Sequence, residues 1–179
     1  MALSPRSSTH RAVIGDRWGV TAAEIKRRFP CDELIPAPGF EAWRGVTVDA
    51  PCEDVWPWVV QIRLAPYSYD CIDNLGHRSP QQLRGLRDPV VGERFTSAFG
   101  GRPAGRVLAT SAGEHLTGQI MGTVMSYVLV PDGARTRLLL KLLARERHPL
   151  SPLLSLGDLI MARRQLLNLA RLAEQNART

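Results

Sequence analysis

The sequence predicts an α+β domain in which a curved antiparallel sheet wraps around a long C-terminal helix. Segments with strand-like patterns follow one another through residues 92–145, and turn signals separate them at intervals of about 8 to 12 residues, as in an antiparallel meander. The segment from Pro152 to about Gln175 has a helical pattern, and a curling meander needs such an apolar element on its concave face. Hydrophobic residues make up 44% and charged residues 22% of the 179 residues, which is typical of a globular protein. We therefore predict the domain at residues 42–179 and an N-terminal extension at residues 1–41.

The N-terminal extension is predicted to contain one short helix and a linker. Thr21 as N-cap and Glu24 three residues later form a capping box, which indicates a helix that runs to about Arg28. Pro30 is expected to end this helix. The Pro-rich segment at residues 36–39 is typical of an extended linker.

The predicted domain begins with a strand and two helices. Residues 43–48 alternate as in a strand, and Pro51 then opens a helix with acidic residues in its first turn, where the helix dipole favours them. Apolar residues at helical spacing from Val55 predict its buried face. A second short helix is expected from Ser79, with Gln82 in a capping box. Five strands are then predicted at Arg94–Phe99, Gly105–Thr110, His115–Met121, Thr123–Val130 and Thr136–Ala144.

The last predicted strand has the clearest alternation. Leu138, Leu140 and Leu142 alternate with Arg137 and Lys141, which predicts a sheet with one covered face. A sheet wrapped on one long helix often leaves a cavity between the two, where small molecules bind.

The charge pattern and hydropathy argue against nucleic acid and membranes. The net charge is +6, but the arginines are spread from Arg6 to Arg178, whereas nucleic-acid-binding surfaces concentrate charge on one element. No stretch approaches the roughly 18 uninterrupted apolar residues of a membrane span, so no stable membrane anchor is expected. No apolar core follows the positive charges of residues 1–11, so we expect no secretory signal and a cytoplasmic location.

No cofactor is expected. Cys31, Cys52 and Cys71 lie far apart without a CxxC pair, and the four histidines are equally scattered, which argues against a metal site. The sequence also has no phosphate-binding glycine loop, dinucleotide fingerprint or GxSxG elbow, which excludes hydrolases, kinases and Rossmann-type dehydrogenases.

Six short segments carry a family resemblance: Asp49–Pro51, Val55–Gln61, Tyr67–Asp70, Ile72–Gly76, Leu129–Leu138 and Asp158–Leu166. Through them the chain resembles a bacterial branch of the SRPBCC superfamily, which includes START-type lipid-transfer proteins, polyketide cyclases/dehydratases and Bet v 1 allergens. The resemblance implies a helix-grip (START/Bet v 1-like) fold with an apolar pocket, and the strand patterns above predict a sheet of about six strands. The segment at residues 63–66 departs from the branch, which usually has a glycine-rich, aromatic link there.

Five polar residues close together are candidates for the rim of a ligand site. Tyr67, Tyr69, Asp70, Asp73 and Asn74 supply hydrogen-bond donors and acceptors, and Tyr69 or Asp70 is a candidate catalytic acid or base. The alternative is a local structural role, in which Asp73 and Asn74 form a turn and Asp70 caps a helix.

Arg163 is a candidate clamp for an anionic group of the ligand. It is predicted near the middle of the apolar face of the C-terminal helix, where a guanidinium must be paired. The alternative is an internal pair with Asp70 or Glu114, or a side chain that bends to the pocket mouth. Four further residues are candidate pocket walls, or alternatively plain core: Trp58, Met125, Tyr127 and Leu140.

Three functional hypotheses remain open at this point. The first is a protein that binds a small hydrophobic or amphipathic molecule in a cavity between the sheet and the C-terminal helix. The alternative, from the resemblance, is a polyketide cyclase/dehydratase-type enzyme acting on a bound carbonyl-containing metabolite, in which one or two side chains move protons. The third is a binder of membrane or nucleic-acid surfaces driven by the charge of +6.

Overall fold

The computed structural model describes residues 15–73, 75–98, 101–145 and 151–178. Its strands and helices follow in the order β1 (Arg17–Trp18), α1 (Ala22–Lys26), α2 (Pro30–Leu34), β2 (Phe40–Val48), α3 (Cys52–Val60), a 3-10 helix (Gln61–Arg63), α4 (Asp70–Asp73), β3 (Arg94–Ala98), β4 (Arg102–Ser111), β5 (His115–Ile120), β6 (Thr123–Asp132), β7 (Arg135–Ala144) and α5 (Ser151–Ala177).

The seven strands form a single sheet in the order β1-β2-β7-β6-β5-β4-β3. All neighbouring strands are antiparallel except β1, whose two residues pair in parallel with β2. The register shifts between Val107 and Ala109 in β4, as at a β-bulge, which adds local twist to the sheet.

The main core lies between the sheet, α3 and α5. Trp58 of α3, Tyr127 of β6, Leu140 of β7 and Leu166 of α5 are all buried in this one cluster. The period-2 pattern of β7 places Leu140 toward this core, as predicted. The predicted α+β fold, a curved antiparallel sheet around a long C-terminal helix, is therefore confirmed.

The other face of the sheet is covered as well, so the prediction of one covered face was wrong. Phe29 and Cys31 of the N-terminal segment pack on Trp43 and Leu139 in a second buried cluster. Lys141 lies among them with 6% of its surface exposed. A charge can be buried there because its Nζ lies 2.5 Å from Oδ1 of Asp32 and 5.0 Å from the centroid of the Trp43 ring.

The N-terminal segment is also joined to the sheet by an ion pair. Nε of Arg137 on β7 lies 2.8 Å from Oε1 of Glu24 on α1, and Nη2 lies 3.1 Å from Oε2, a bidentate geometry. The capping box predicted at Thr21 and Glu24 is present. The division between residues 41 and 42 stays a prediction, but residues on its N-terminal side contribute a strand and a packed helix to this sheet.

Two predictions about helices were wrong. Pro30 begins α2 instead of ending α1, since proline suits the first turn of a helix, where its missing N–H is not needed. No helix starts at Ser79, and residues 75–90 have no regular secondary structure in the structure. Ser79 instead bonds to Asp70, while the main chain at Arg84 bonds to Gln61.

Candidate functional site

A pocket of about 400 Å³ lies beside the C-terminal helix, on the side of α5 that faces α4 and the following loop. This volume falls in the range of roughly 300 to 1,000 Å³ that is usual for small-molecule sites. The pocket is lined by Tyr67, Ser68, Tyr69, Asp70 and Cys71, by Arg78, Ser79 and Gln81 of the loop, and by Arg164, Asn168 and Arg171 of α5.

Gln61 connects the pocket wall at residues 67–71 to the loop at residues 75–90. Its side chain is 1% exposed. Its Nε2 donates to the hydroxyl of Tyr67 at 2.7 Å and to the carbonyl of Gln82 at 3.0 Å, and its Oε1 accepts from the main-chain N–H of Arg84 at 2.7 Å. Both donors and the acceptor of one buried amide are thereby used, which ties the Tyr67 segment to the loop.

Tyr67 is a structural residue of the pocket wall. It adopts a positive φ of 59°, which is uncommon for a residue other than glycine. Its ring packs at 85° against Trp58 with 6.4 Å between ring centroids, and its main-chain carbonyl accepts a 2.9 Å hydrogen bond from Asn168 of α5. Burial raises the pKa of Tyr67 to about 12, so the phenol stays neutral at physiological pH.

The carboxylate of Asp70 holds the other end of the same wall. Its Oδ1 accepts from the hydroxyl of Ser79 at 2.6 Å and its Oδ2 from the main-chain N–H of Ser79 at 2.9 Å. The carbonyl of Asp70 accepts from the N–H of Gly76 at 2.7 Å, which closes the turn after α4. Of the two roles left open for Asp70, this geometry favours the local structural one.

Positive charge gathers along the outer side of α5. The guanidinium carbon of Arg164 lies 5.9 Å from the centroid of the Tyr69 ring, a cation–π distance. Arg171 donates to Oε1 of Gln81 across the pocket and to Oε1 of Gln175 on its own helix, both at 3.0 Å. Arg78 adds a third guanidinium from the loop.

The other predicted wall residues lie in the core, away from this pocket. Trp58, Tyr127 and Leu140 are 2%, 1% and 1% exposed, and Met125 is partly buried against the same cluster. The hydroxyl of Tyr127 donates to Oε1 of Gln165 on α5 at 2.5 Å. Whether these four side chains contact a ligand stays a prediction. Asn74 lies outside the described residues.

The predicted position of Arg163 on the buried face of α5 was wrong. Arg163 is exposed, and its guanidinium carbon lies 5.0 Å from the centroid of the Trp18 ring. It pairs with neither proposed carboxylate: Asp70 accepts hydrogen bonds from Ser79, and Glu114 accepts one from Ser111. The predicted apolar face of α5 was displaced around the helix axis from the face that is buried in the structure. Between residues 161 and 178 the buried residues are Ala162, Gln165, Leu166, Leu169, Ala170, Leu172 and Ala173.

The sequence reasoning missed the residues of α5 and of the loop that complete the pocket. Arg164 and Arg171 are seven residues apart, close to two helical turns, and so lie along one line of the helix. With Asn168 nearby on the same side, this polar spacing was a usable signal. Gln61 and Arg78 gave no comparable signal, since their places depend on contacts distant in sequence.

Two observations concern metals and membranes. Within the described parts of the chain, no group of three or more His, Cys, Asp or Glu residues is arranged to hold a metal ion. Among the helices described, none combines the length and apolar character needed to cross a membrane.

Comparison with known proteins identifies solved structures with a similar fold. No protein-family model matches the chain, and no curated protein matches its sequence. Solved structures do match. Protein MLL2253 from Mesorhizobium loti superposes with a TM-score of 0.55 at 18% identity, over 76% of this chain and 98% of that one.

Two further structures give similar results. A protein from Nitrosospira multiformis has a TM-score of 0.54 at 16% identity, over 78% of this chain and 100% of that one. An AHSA1-like protein from Aeromonas hydrophila has a TM-score of 0.51 at 18% identity, over 76% of this chain and 94% of that one. Likeness at this identity concerns the fold alone. The chain has the α+β helix-grip fold of these proteins.

Proposed function

We propose that this protein is an SRPBCC-type binding protein that holds a small hydrophobic or amphipathic molecule in the pocket beside its C-terminal helix. The observation that carries the proposal is the pocket of about 400 Å³ between the Tyr67 segment, the loop and α5. Aromatic and charged side chains meet there, as amphipathic ligands require. A cytoplasmic location remains our expectation.

The walls of this pocket are held in place before any ligand arrives. Gln61 joins the Tyr67 segment to the loop, Asp70 joins α4 to Ser79, and Asn168 joins α5 to the main chain at Tyr67. Prior organisation of this kind lowers the ordering entropy that a ligand must overcome on binding. It therefore favours a site built for one class of ligand.

The enzyme hypothesis finds less support from the same residues. A general base must lie within hydrogen-bond reach of the proton it removes. Two hydrogen bonds hold the carboxylate of Asp70 against Ser79, and Tyr67 is a buried phenol with a pKa of about 12. Tyr69 is then the remaining candidate of the two named from the sequence. The geometry favours binding over proton transfer.

Cysteine alkylation provides a direct test of the proposal. Cys71 lines the pocket and is exposed, whereas Cys31 is fully buried and burial raises the pKa of its thiol to about 11. We would measure alkylation by iodoacetamide with peptide mass spectrometry, with and without 2-naphthoate or the neutral 2-naphthylmethanol. A ligand in the pocket should slow labelling of Cys71 and leave the partly exposed Cys52 unaffected.

Native mass spectrometry of protein purified from its own host is the companion measurement, since a bound molecule should add a discrete mass. Equal labelling of Cys71 with and without either probe, together with no co-purifying molecule, would contradict the proposed function. Slower labelling of Cys52 and Cys71 alike would also count against it, because that result indicates binding elsewhere.

A further inference from the structure

We propose that the ligand carries an anionic head group, a carboxylate or a phosphate, and that Arg78, Arg164 and Arg171 recognise it. This inference rests on the proposed function, because it assigns the ligand class of the same pocket. Three guanidinium groups line the pocket, against one described carboxylate, that of Asp70.

The single carboxylate does not neutralise these arginines. Asp70 directs both oxygens to Ser79, at 2.6 and 2.9 Å. Among the described side chains, no carboxylate forms an ion pair with Arg78, Arg164 or Arg171. The partners of Arg171 are the neutral amides of Gln81 and Gln175. The pocket therefore keeps a positive charge.

Some other arginines of the protein form ion pairs with carboxylates. Arg63 lies 3.0 Å from Glu93, and Arg137 lies 2.8 Å from Glu24. Arg78, Arg164 and Arg171 are set apart because they surround one concavity with a single described carboxylate, which indicates a counter-charge brought by a ligand. Arginine suits this role because its planar donors bind carboxylate and phosphate in bidentate geometry.

The placement of these groups also gives the ligand an orientation. Arg164 and Arg171 are about two turns apart on α5, and the Arg164 guanidinium is held beside the ring of Tyr69. A ring face next to a guanidinium accepts the apolar body of a ligand while the head group meets the cation. An aromatic or aliphatic acid satisfies both parts.

Four probes with one naphthalene body separate charge from shape: 2-naphthoate, 2-naphthyl phosphate, 2-naphthylmethanol and 2-naphthylmethylammonium. Isothermal titration calorimetry should show that one or both anions bind at least about tenfold more tightly than the alcohol, with the ammonium weakest. The two anionic arms distinguish a carboxylate from a phosphate head group, and tight binding of either supports the proposal.

The matched variants are Arg78→Gln/Arg164→Gln and the control Arg163→Gln/Arg135→Gln. Both pairs remove two positive charges, but Arg163 contacts Trp18 and Arg135 pairs with Asp132, away from the pocket. The first pair should weaken anion binding by about tenfold or more and change the affinity for the alcohol by less than about twofold. The control pair should leave the anion affinity within about twofold of the wild type.

Three results would overturn the inference. Equal binding of alcohol and anions would remove the charge selectivity and leave the proposed function standing, provided that Cys71 is protected. An equal loss in both variant pairs would show that net charge acts, and not these arginines. If none of the four probes binds or protects Cys71, the inference fails together with the proposed function.

Discussion

Gln61 is expected to be the residue on which the shape of the pocket depends most. Gln61→Leu keeps a side chain of similar volume and removes three hydrogen bonds, to the hydroxyl of Tyr67, the carbonyl of Gln82 and the N–H of Arg84. A hydrogen bond contributes about 1 kcal/mol net, and a buried group left unpaired costs about 1 to 3 kcal/mol. Gln82 and Arg84 are exposed and can bond to water instead, whereas Tyr67 is 1% exposed.

The expected loss is therefore about 2 to 3 kcal/mol in the free energy of unfolding for Gln61→Leu, measured by urea denaturation with tryptophan fluorescence. Tyr67→Phe removes one of the three bonds and should cost about 1 kcal/mol. Because the two variants share that bond, the double variant should be less destabilised than the sum of the singles by about 1 kcal/mol.

Hydrogen exchange tests the structural reason separately. The amide hydrogen of Arg84 should exchange faster in Gln61→Leu than in the wild type, because this variant removes its hydrogen-bond acceptor. In Tyr67→Phe its exchange rate should be unchanged, because the acceptor is still present. A loss of stability below about 1 kcal/mol for Gln61→Leu, or strict additivity in the double variant, would refute the network as drawn.

Three further predictions concern groups outside the pocket. Lys141→Met should lower the free energy of unfolding by about 2 kcal/mol in urea denaturation, because Asp32 loses its buried cation; an unchanged midpoint would contradict this. Burial by itself raises the pKa of Glu24, but hydrogen bonds, above all from Arg137, outweigh it, and the pKa lies below its ordinary value. Glu24→Gln should therefore cost about 1 to 2 kcal/mol at neutral pH, and this difference should shrink as the pH falls below the ordinary carboxyl pKa and vanish once the pH has passed the lowered pKa of the native carboxyl, where the wild type is protonated too. Burial lowers the pKa of His115, so the unfolded chain binds that proton more readily, and stability should fall as the pH decreases below about 7; His115→Asn should flatten that part of the pH profile.

The sheet was predictable from the sequence because its signals are local. Turn residues separate the strands, and the alternation in β7 gives the side that faces the core. The same strand also signalled its second covered face, since Leu139 and Leu143 are apolar and leave Lys141 as the main polar position between them. A near-continuous apolar run is typical of a strand buried on both faces.

The N-terminal segment and the loop were harder to predict, for a different reason. Pro30 is compatible both with the end of one helix and with the first turn of the next, and only the packing of Phe29 and Cys31 on the sheet decides between them. At Ser79 the capping pattern was present, but tertiary hydrogen bonds to Asp70 overrode it. A local sequence pattern contains no information about packing or hydrogen-bond partners that lie elsewhere in the chain.

The error at Arg163 explains how one helix serves both the core and the pocket. Successive residues of a helix are turned by about 100°, so a phase error of one residue moves a charge from the packed face to a flank. Small residues, Ala162, Ala170 and Ala173, let α5 approach the core closely, while Leu167 remains 39% exposed. The inner face of the helix thereby stabilises the fold, and its outer side carries the arginines of the pocket. Because the two faces share no side chain, the charge of the pocket can change while the packing of the core stays the same.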